Sequence, residues 1–242
     1  LYKDFLLFLV DFYIQKNTLK KNQNPQLLID NLTKSIEVNK RIVAVVNSEY
    51  IEEISRINEN IVAIDESLFN LKEIENEYTT QINNKVVRSN HPPTEILCLK
   101  RWIILKKCYD LEILEKNQPT TILDWDTFIF EAAVDVLEEI HSQCSRLRRD
   151  IPFISGFINL GITVASRCSN PCHYDICPNI IIVNYSMIDI YVEILNKVIT
   201  NAGTLKRIYN NRLFNDMSLW SFAISTAVLR KNGVIVDIEE MG

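Results

Sequence analysis

Glycine is scarce in this chain of 242 residues, which holds five, none before position 156. That scarcity argues against a Gly-rich phosphate loop, and nothing reads G-x-G-x-x-G or G-K-[ST]. Dense blocks of Lys and Arg are missing too. The 26 basic residues are outnumbered, leaving a net charge of -5, so a nucleic-acid-binding surface is not indicated. A local basic pocket for phosphates stays compatible with this balance. No apolar run reaches transmembrane length. Phe5 to Phe12 is apolar, but Asp4 and Asp11 bracket it and it lacks a basic leader and a small-residue cleavage site, so a first β-strand fits better than a signal peptide. Six cysteines are too few for a disulfide scaffold at this length. Cys98 and Cys108 fall in a predicted helix, where Cys behaves as a small buried hydrophobe, and a reducing, cytoplasmic setting is expected.

What the chain does have is an ordinary globular composition, 47% hydrophobic and 24% charged, with enough length to bury a sizeable core. The expected organisation is one domain over residues 1–242. It is open to truncation at both ends, because the chain starts without Met and stops shortly after an apolar run. Apolar runs suited to buried strands alternate with helical spacing. Strands are predicted at Phe5 to Phe12, Arg41 to Asn47, Asn60 to Asp65, Thr120 to Asp124 and Val234 to Ile238. Helices are predicted from Pro25 to Asn39, Glu49 to Ile57, after a Thr94 cap, Glu131 to Arg148, Ser186 to Thr200 and Asp216 to Leu229. Asp150 to Ser166 reads as strand-turn-strand and 167–179 as a loop. The fold class that follows is α/β, with a mainly parallel central sheet flanked by helices.

The most informative stretch is Thr121-Ile122-Leu123-Asp124-Trp125-Asp126-Thr127-Phe128-Ile129-Phe130. Alternate side chains of an extended chain share a side, so Asp124 and Asp126 can converge while Trp125 points away. Two hard oxygen ligands at a strand end suit Mg2+ or Mn2+, and such a cation can neutralise a diphosphate leaving group. A phosphatase of the haloacid dehalogenase type also places Asp-x-Asp after a strand. It wants Thr or Val two residues beyond the second Asp, where this chain has Phe128.

Taken with their order and spacing, three segments resemble the nucleotide-diphospho-sugar transferases of the GT-A fold. They are Asn90, Glu95, Cys98, Arg101 and Trp102 around an apolar helix; the strand ending Asp124-Trp125-Asp126; and Asn215-Asp216-Met217-Ser218-Leu219-Trp220 at a late helix. The resemblance implies a metal-dependent glycosyltransferase that moves a sugar from a nucleotide-sugar donor to a saccharide, lipid or protein acceptor. It implies that Asp126 ligates Mn2+ or Mg2+ directly, while Asp124 holds a water ligand or contacts the donor's ribose or sugar. Arg101 would approach the donor phosphates, positioned by Glu95, with Asn90 beside the donor and Trp102 packed beneath it. Asp216 would activate the acceptor.

Each residue also has a plainer reading. Arg101 can be a helix surface charge, Trp102 a core residue, Asp216 an N-cap, and Glu95 a favourable charge at a helix start. Cys168, Cys172, His173 and Cys177, with His141 and Cys144 upstream, could supply a structural zinc site, although their spacings are not C-x2-C. A rival of another class is the same fold acting as a catalytically inactive sugar-nucleotide-binding or interaction module.

Overall fold

A computed structural model describes residues 6–10, 25–38, 41–83, 92–123, 129, 131–160, 174–200 and 216–237. Its strands are β1 Leu6–Val10, β2 Arg41–Val46, β3 Ile61–Asp65, β4 Thr120–Leu123, β5 Phe153–Leu160, β6 Tyr174–Val183 and β7 Val234–Asp237. Its helices are α1 Pro25–Val38, α2 Ile51–Ser55, α3 Lys72–Asn83, α4 Pro92–Asp110, α5 Glu131–Ser145, α6 Tyr185–Thr200 and α7 Asp216–Lys231. The strands form one sheet in the order β3-β2-β1-β4-β6-β5-β7. β1 pairs parallel with β2 and β4, and β3 continues that direction beside β2. β6 runs antiparallel to both β4 and β5, and β7 pairs parallel with β5. The sheet is therefore mixed, and the carboxyl ends of β1 to β4 leave it along one edge.

The continuous apolar strands are explained by burial on both faces. In β2, Val43 and Val45 join a core with Trp102, Tyr191 and Trp220, from α4, α6 and α7. The alternating residues Ile42, Ala44 and Val46 enter a second core with Leu28, Leu32, Leu137 and Ile140, from α1 and α5. Period-two alternation thus divides one strand between two helical layers.

Three of the boundaries that differ from the sequence expectation have a plain local reason. α4 begins at Pro92, two residues before the Thr94 cap, because proline suits the first turn of a helix, where its missing N–H has no partner to lose. α5 ends at Ser145 rather than Arg148. The N–H groups of Arg146 and Leu147 instead donate to carbonyls three or four residues back, at 3.0–3.3 Å, closing the helix with a tight turn. Part of the predicted loop 167–179 is strand, since β6 already starts at Tyr174. Its ladder with β5 shifts register between Gly156 and Ile158, so that Gly156 pairs with Ile181 but Ile158 with Ile176. Pro178 falls in that irregular stretch, which suits a residue unable to donate to a ladder and explains why the pattern reads as a loop. Gly156 permits the close approach: a Cβ there would lie 3.1 Å from Ile176 Cδ1 and 3.2 Å from the Ile180 carbonyl oxygen.

β4 is the strand that delivers the acidic pair, and two buried threonines tie it to opposite layers. The Thr120 hydroxyl is 2.6 Å from the Tyr109 hydroxyl on α4. The Thr121 hydroxyl is 2.7 Å from His141 Nε2 on α5. Burial pushes the His141 imidazole down to about 4. An unfolded chain takes up this proton from about pH 6.5 downward, and the native state only near pH 4. The unfolded state therefore binds more protons between these values, and stability falls as pH drops through that window. Between pH 7.5 and 5 the expected loss is about 2 kcal/mol. Urea midpoints at the two pH values check it. His141→Gln should remove most of that difference, and an equal slope in both proteins would refute the assignment.

Candidate functional site

The apolar runs of β2 and β3 each end on a polar residue at the same edge of the sheet. Asn47 follows Val46, and Asp65 closes β3. A 3-10 turn comes next in both cases, over Ser48–Tyr50 and Glu66–Phe69. Asp65 remains extended, and its Oδ1 accepts from the Ser67 N–H at 2.8 Å. This is the capping role that a short carboxylate fills well. Asn70 ends the second turn in the left-handed region at φ 45°, which Asn tolerates better than most residues.

Between these turns, α3 and α4 lies an open cleft of about 690 Å³, whose lining includes Asn47, Glu49, Asp65, Glu66, Glu75 and Lys100. Lys100 reaches it from α4 with its side chain only 6% exposed. Its Nζ lies 2.5 Å from Glu66 Oε1 and 2.6 Å from Glu75 Oε1. Burial works against the charged ammonium, but hydrogen bonds and attraction from both carboxylates outweigh it and raise the Lys100 pKa. Glu49, Asp65, Glu66 and Glu75 face only Lys72 and Lys100 in the lining. Four carboxylates against two ammoniums leave a formal charge of -2. Such a lining accepts hydrogen bonds from hydroxyl and amino groups and does not attract phosphate.

Of the residues singled out by sequence, Arg101 is next to Lys100 on α4 and is buried at 5% exposure. Its Cζ lies 4.6 Å from the centroid of the Trp102 ring. It is therefore not a surface charge. Trp102 is fully buried, with Trp220 edge-on at 4.8 Å and 87° and Tyr191 tilted at 5.7 Å and 56°. The resemblance puts Trp102 beneath the donor; enclosed in this way it has no exposed face for direct contact. Asp216 is the first residue of α7, one helical turn before Trp220. The Trp102–Trp220 contact therefore joins the helices that carry Arg101 and Asp216. Asn90, Asp124 and Asp126 lie outside the described residues, as do the side chains of Glu95 and Asp216. β4 ends at Leu123, immediately before Asp124.

Among the described residues, no group of three or more His, Cys, Asp or Glu side chains could hold a metal ion. Cys168, Cys172 and His173 of the zinc reading lie outside that description, as does the Cys177 side chain. Cys144 is buried and unbridged on α5, and burial pushes its thiol up to about 12. Among the described residues, no helix is long and apolar enough to cross a membrane.

None of the residues lining the cleft was singled out by sequence reasoning. Asn47 and Asp65 carried a usable signal, since each is the polar residue that closes an apolar run. Lys100, Glu66 and Glu75 carried none, because charged residues on helices and turns are ordinarily solvated.

No family model and no curated protein matches the chain. Among solved structures it is similar to apo mouse xyloside xylosyltransferase 1, with a TM-score of 0.53 at 9% identity, over 97% of this chain and 85% of that one. The chain thus has a mixed α/β, glycosyltransferase-like fold. At that identity the likeness is one of fold.

Proposed function

We propose that this protein is a metal-dependent glycosyltransferase that uses a nucleotide-sugar donor. The observation that carries the proposal is the polar cleft at the carboxyl ends of β2 and β3, within a glycosyltransferase-like fold. Ligands of open α/β sheets bind outside the carboxyl ends of the strands. β2 and β4 flank β1, which separates them by about 10 Å at ordinary strand spacing. A nucleotide-sugar can bridge that gap. Its uncharged nucleoside matches the acceptor-rich cleft, and its diphosphate belongs toward the exit of β4.

Asp124 and Asp126 follow directly at that exit and are the carboxylate donor set suited to Mn2+ or Mg2+. A bound cation would stabilise charge growing on the departing diphosphate. In this reading Asp126 is the direct ligand, and Asp124 holds a water ligand or meets the donor's ribose or sugar. Arg101 and Asn90 contact the donor, with the Arg101 guanidinium suited to phosphate oxygens. Trp102 seats the helix that bears Arg101. Asp216 takes the proton from the acceptor hydroxyl, whether the acceptor is a saccharide, a lipid or a protein. A reducing, cytoplasmic setting accords with the cysteine usage.

Calorimetric titration with UDP, ADP and GDP, with and without Mn2+, tests the proposal alongside an assay of nucleotide-sugar hydrolysis. The expected result is Mn2+-dependent binding of one nucleotide together with slow donor hydrolysis. Binding without turnover would favour the inactive sugar-nucleotide-binding module. Absence of binding to all three would sink the donor assignment.

A further inference from the structure

We infer that Lys100 is a positioning residue for ligand binding, holding Glu66 and Glu75 as a matched pair of hydrogen-bond acceptors for the hydroxyl groups of a nucleoside. The inference rests on reading the cleft as the nucleoside end of a donor site. Ammonium groups are strongly hydrated and are rarely buried without partners. Here one is almost enclosed, between carboxylates supplied by two different walls: Glu66 from the turn after β3 and Glu75 from α3. A compact charge with three donors suits this bridging better than the flat fork of Arg.

The triad lines the cleft rather than lying behind it. The Glu66 side chain is 11% exposed and that of Glu75 is 36% exposed, so Glu75 in particular keeps surface toward solvent. A carboxylate offers two oxygens and about four acceptor positions, so a bond from Lys100 does not exhaust it. Without the ammonium, two carboxylates would face each other in a lining already rich in negative charge. They would then repel or protonate, and either outcome disturbs the acceptors that a ribose hydroxyl would meet. Pyrophosphate, lacking hydroxyl groups, has no use for this triad.

The experiment compares wild type, Lys100→Met, Lys100→Arg and Glu75→Gln by calorimetry in Mn2+. The probes are UDP, ADP and GDP, with pyrophosphate as the probe of the other end of the site. Lys100→Met is expected to weaken the nucleoside diphosphate that wild type binds by about tenfold or more, the scale of a charge-assisted hydrogen bond. Pyrophosphate affinity should stay unchanged, and Lys100→Arg should recover part of the loss. Glu75→Gln, on a partly exposed side chain, keeps the test decisive if Lys100→Met does not fold, and should weaken the same nucleotide while sparing pyrophosphate. Folded variants that bind the nucleotide as tightly as wild type would overturn the inference and leave the glycosyltransferase reading standing. Equal weakening of pyrophosphate would also overturn it, by showing a role that is merely structural. If wild type itself binds neither probe, the donor-site reading fails and takes this inference with it.

Discussion

Replacing Asp126 with Asn is expected to cut Mn2+-dependent donor turnover by about a thousandfold, near 4 kcal/mol of barrier. The magnitude follows from where charge develops. As the glycosidic bond breaks, negative charge accumulates on the diphosphate, and a cation held beside it lowers the barrier by several kcal/mol. An amide retains the size of the carboxylate but loses the charge that holds a hard divalent ion. Asp124→Asn should cost less, since the resemblance assigns Asp124 a water-mediated or sugar contact. Turnover measured across a Mn2+ titration separates the roles. A lost metal ligand raises the Mn2+ requirement, and nucleotide binding without metal should be unchanged in Asp126→Asn. Full turnover by Asp126→Asn at ordinary Mn2+ would remove the acidic pair from the mechanism.

Trp220→Ala is expected to cost about 4 kcal/mol of folding stability, from loss of a buried aromatic side chain and the cavity left behind. The indole is fully buried, with Tyr191 tilted against it at 4.3 Å and Trp102 edge-on at 4.8 Å. Total stabilities are commonly about 5–15 kcal/mol, so this one truncation consumes a large share. Trp220→Phe should be much milder. Among the described residues Trp220 Nε1 has no hydrogen-bond partner, and phenylalanine removes that buried donor while keeping most of the ring. Urea unfolding with an unchanged m-value gives both numbers, and a loss below about 1 kcal/mol for Trp220→Ala would contradict the packing. The same truncation slackens the seam between α4 and α7, and with it the spacing of Arg101 from Asp216. Turnover should therefore fall in the fraction that remains folded.

Much of the fold was legible because burial leaves a periodic trace. Ile42 to Val46 reads as a strand buried on both faces, and the structure divides it between two cores. The α4 stripe of Cys98, Trp102, Leu105 and Tyr109 reads as a helix face, and three of its four residues are fully buried. No strand was expected at β6, whose first half reads as a loop. The register shift against β5, with Pro178 inside it, breaks the alternation that reveals a strand. Its antiparallel direction was equally hidden, because direction belongs to the pairing and leaves no pattern in a single run.

The site divides in the same way. The sequence by itself determined the local chemistry: an acidic couplet after β4, an Arg-Trp pair on an apolar helix, and polar residues closing the apolar runs of β2 and β3. Each follows from neighbours along the chain. Only the tertiary structure decided that Asn47 and Asp65 share one cleft, that Trp102 meets Trp220, and that Lys100 is clasped by Glu66, a residue 34 positions away, and by Glu75. A buried charge takes its role from partners brought in by packing, and sequence spacing carries no record of how two helices and a turn come to surround it.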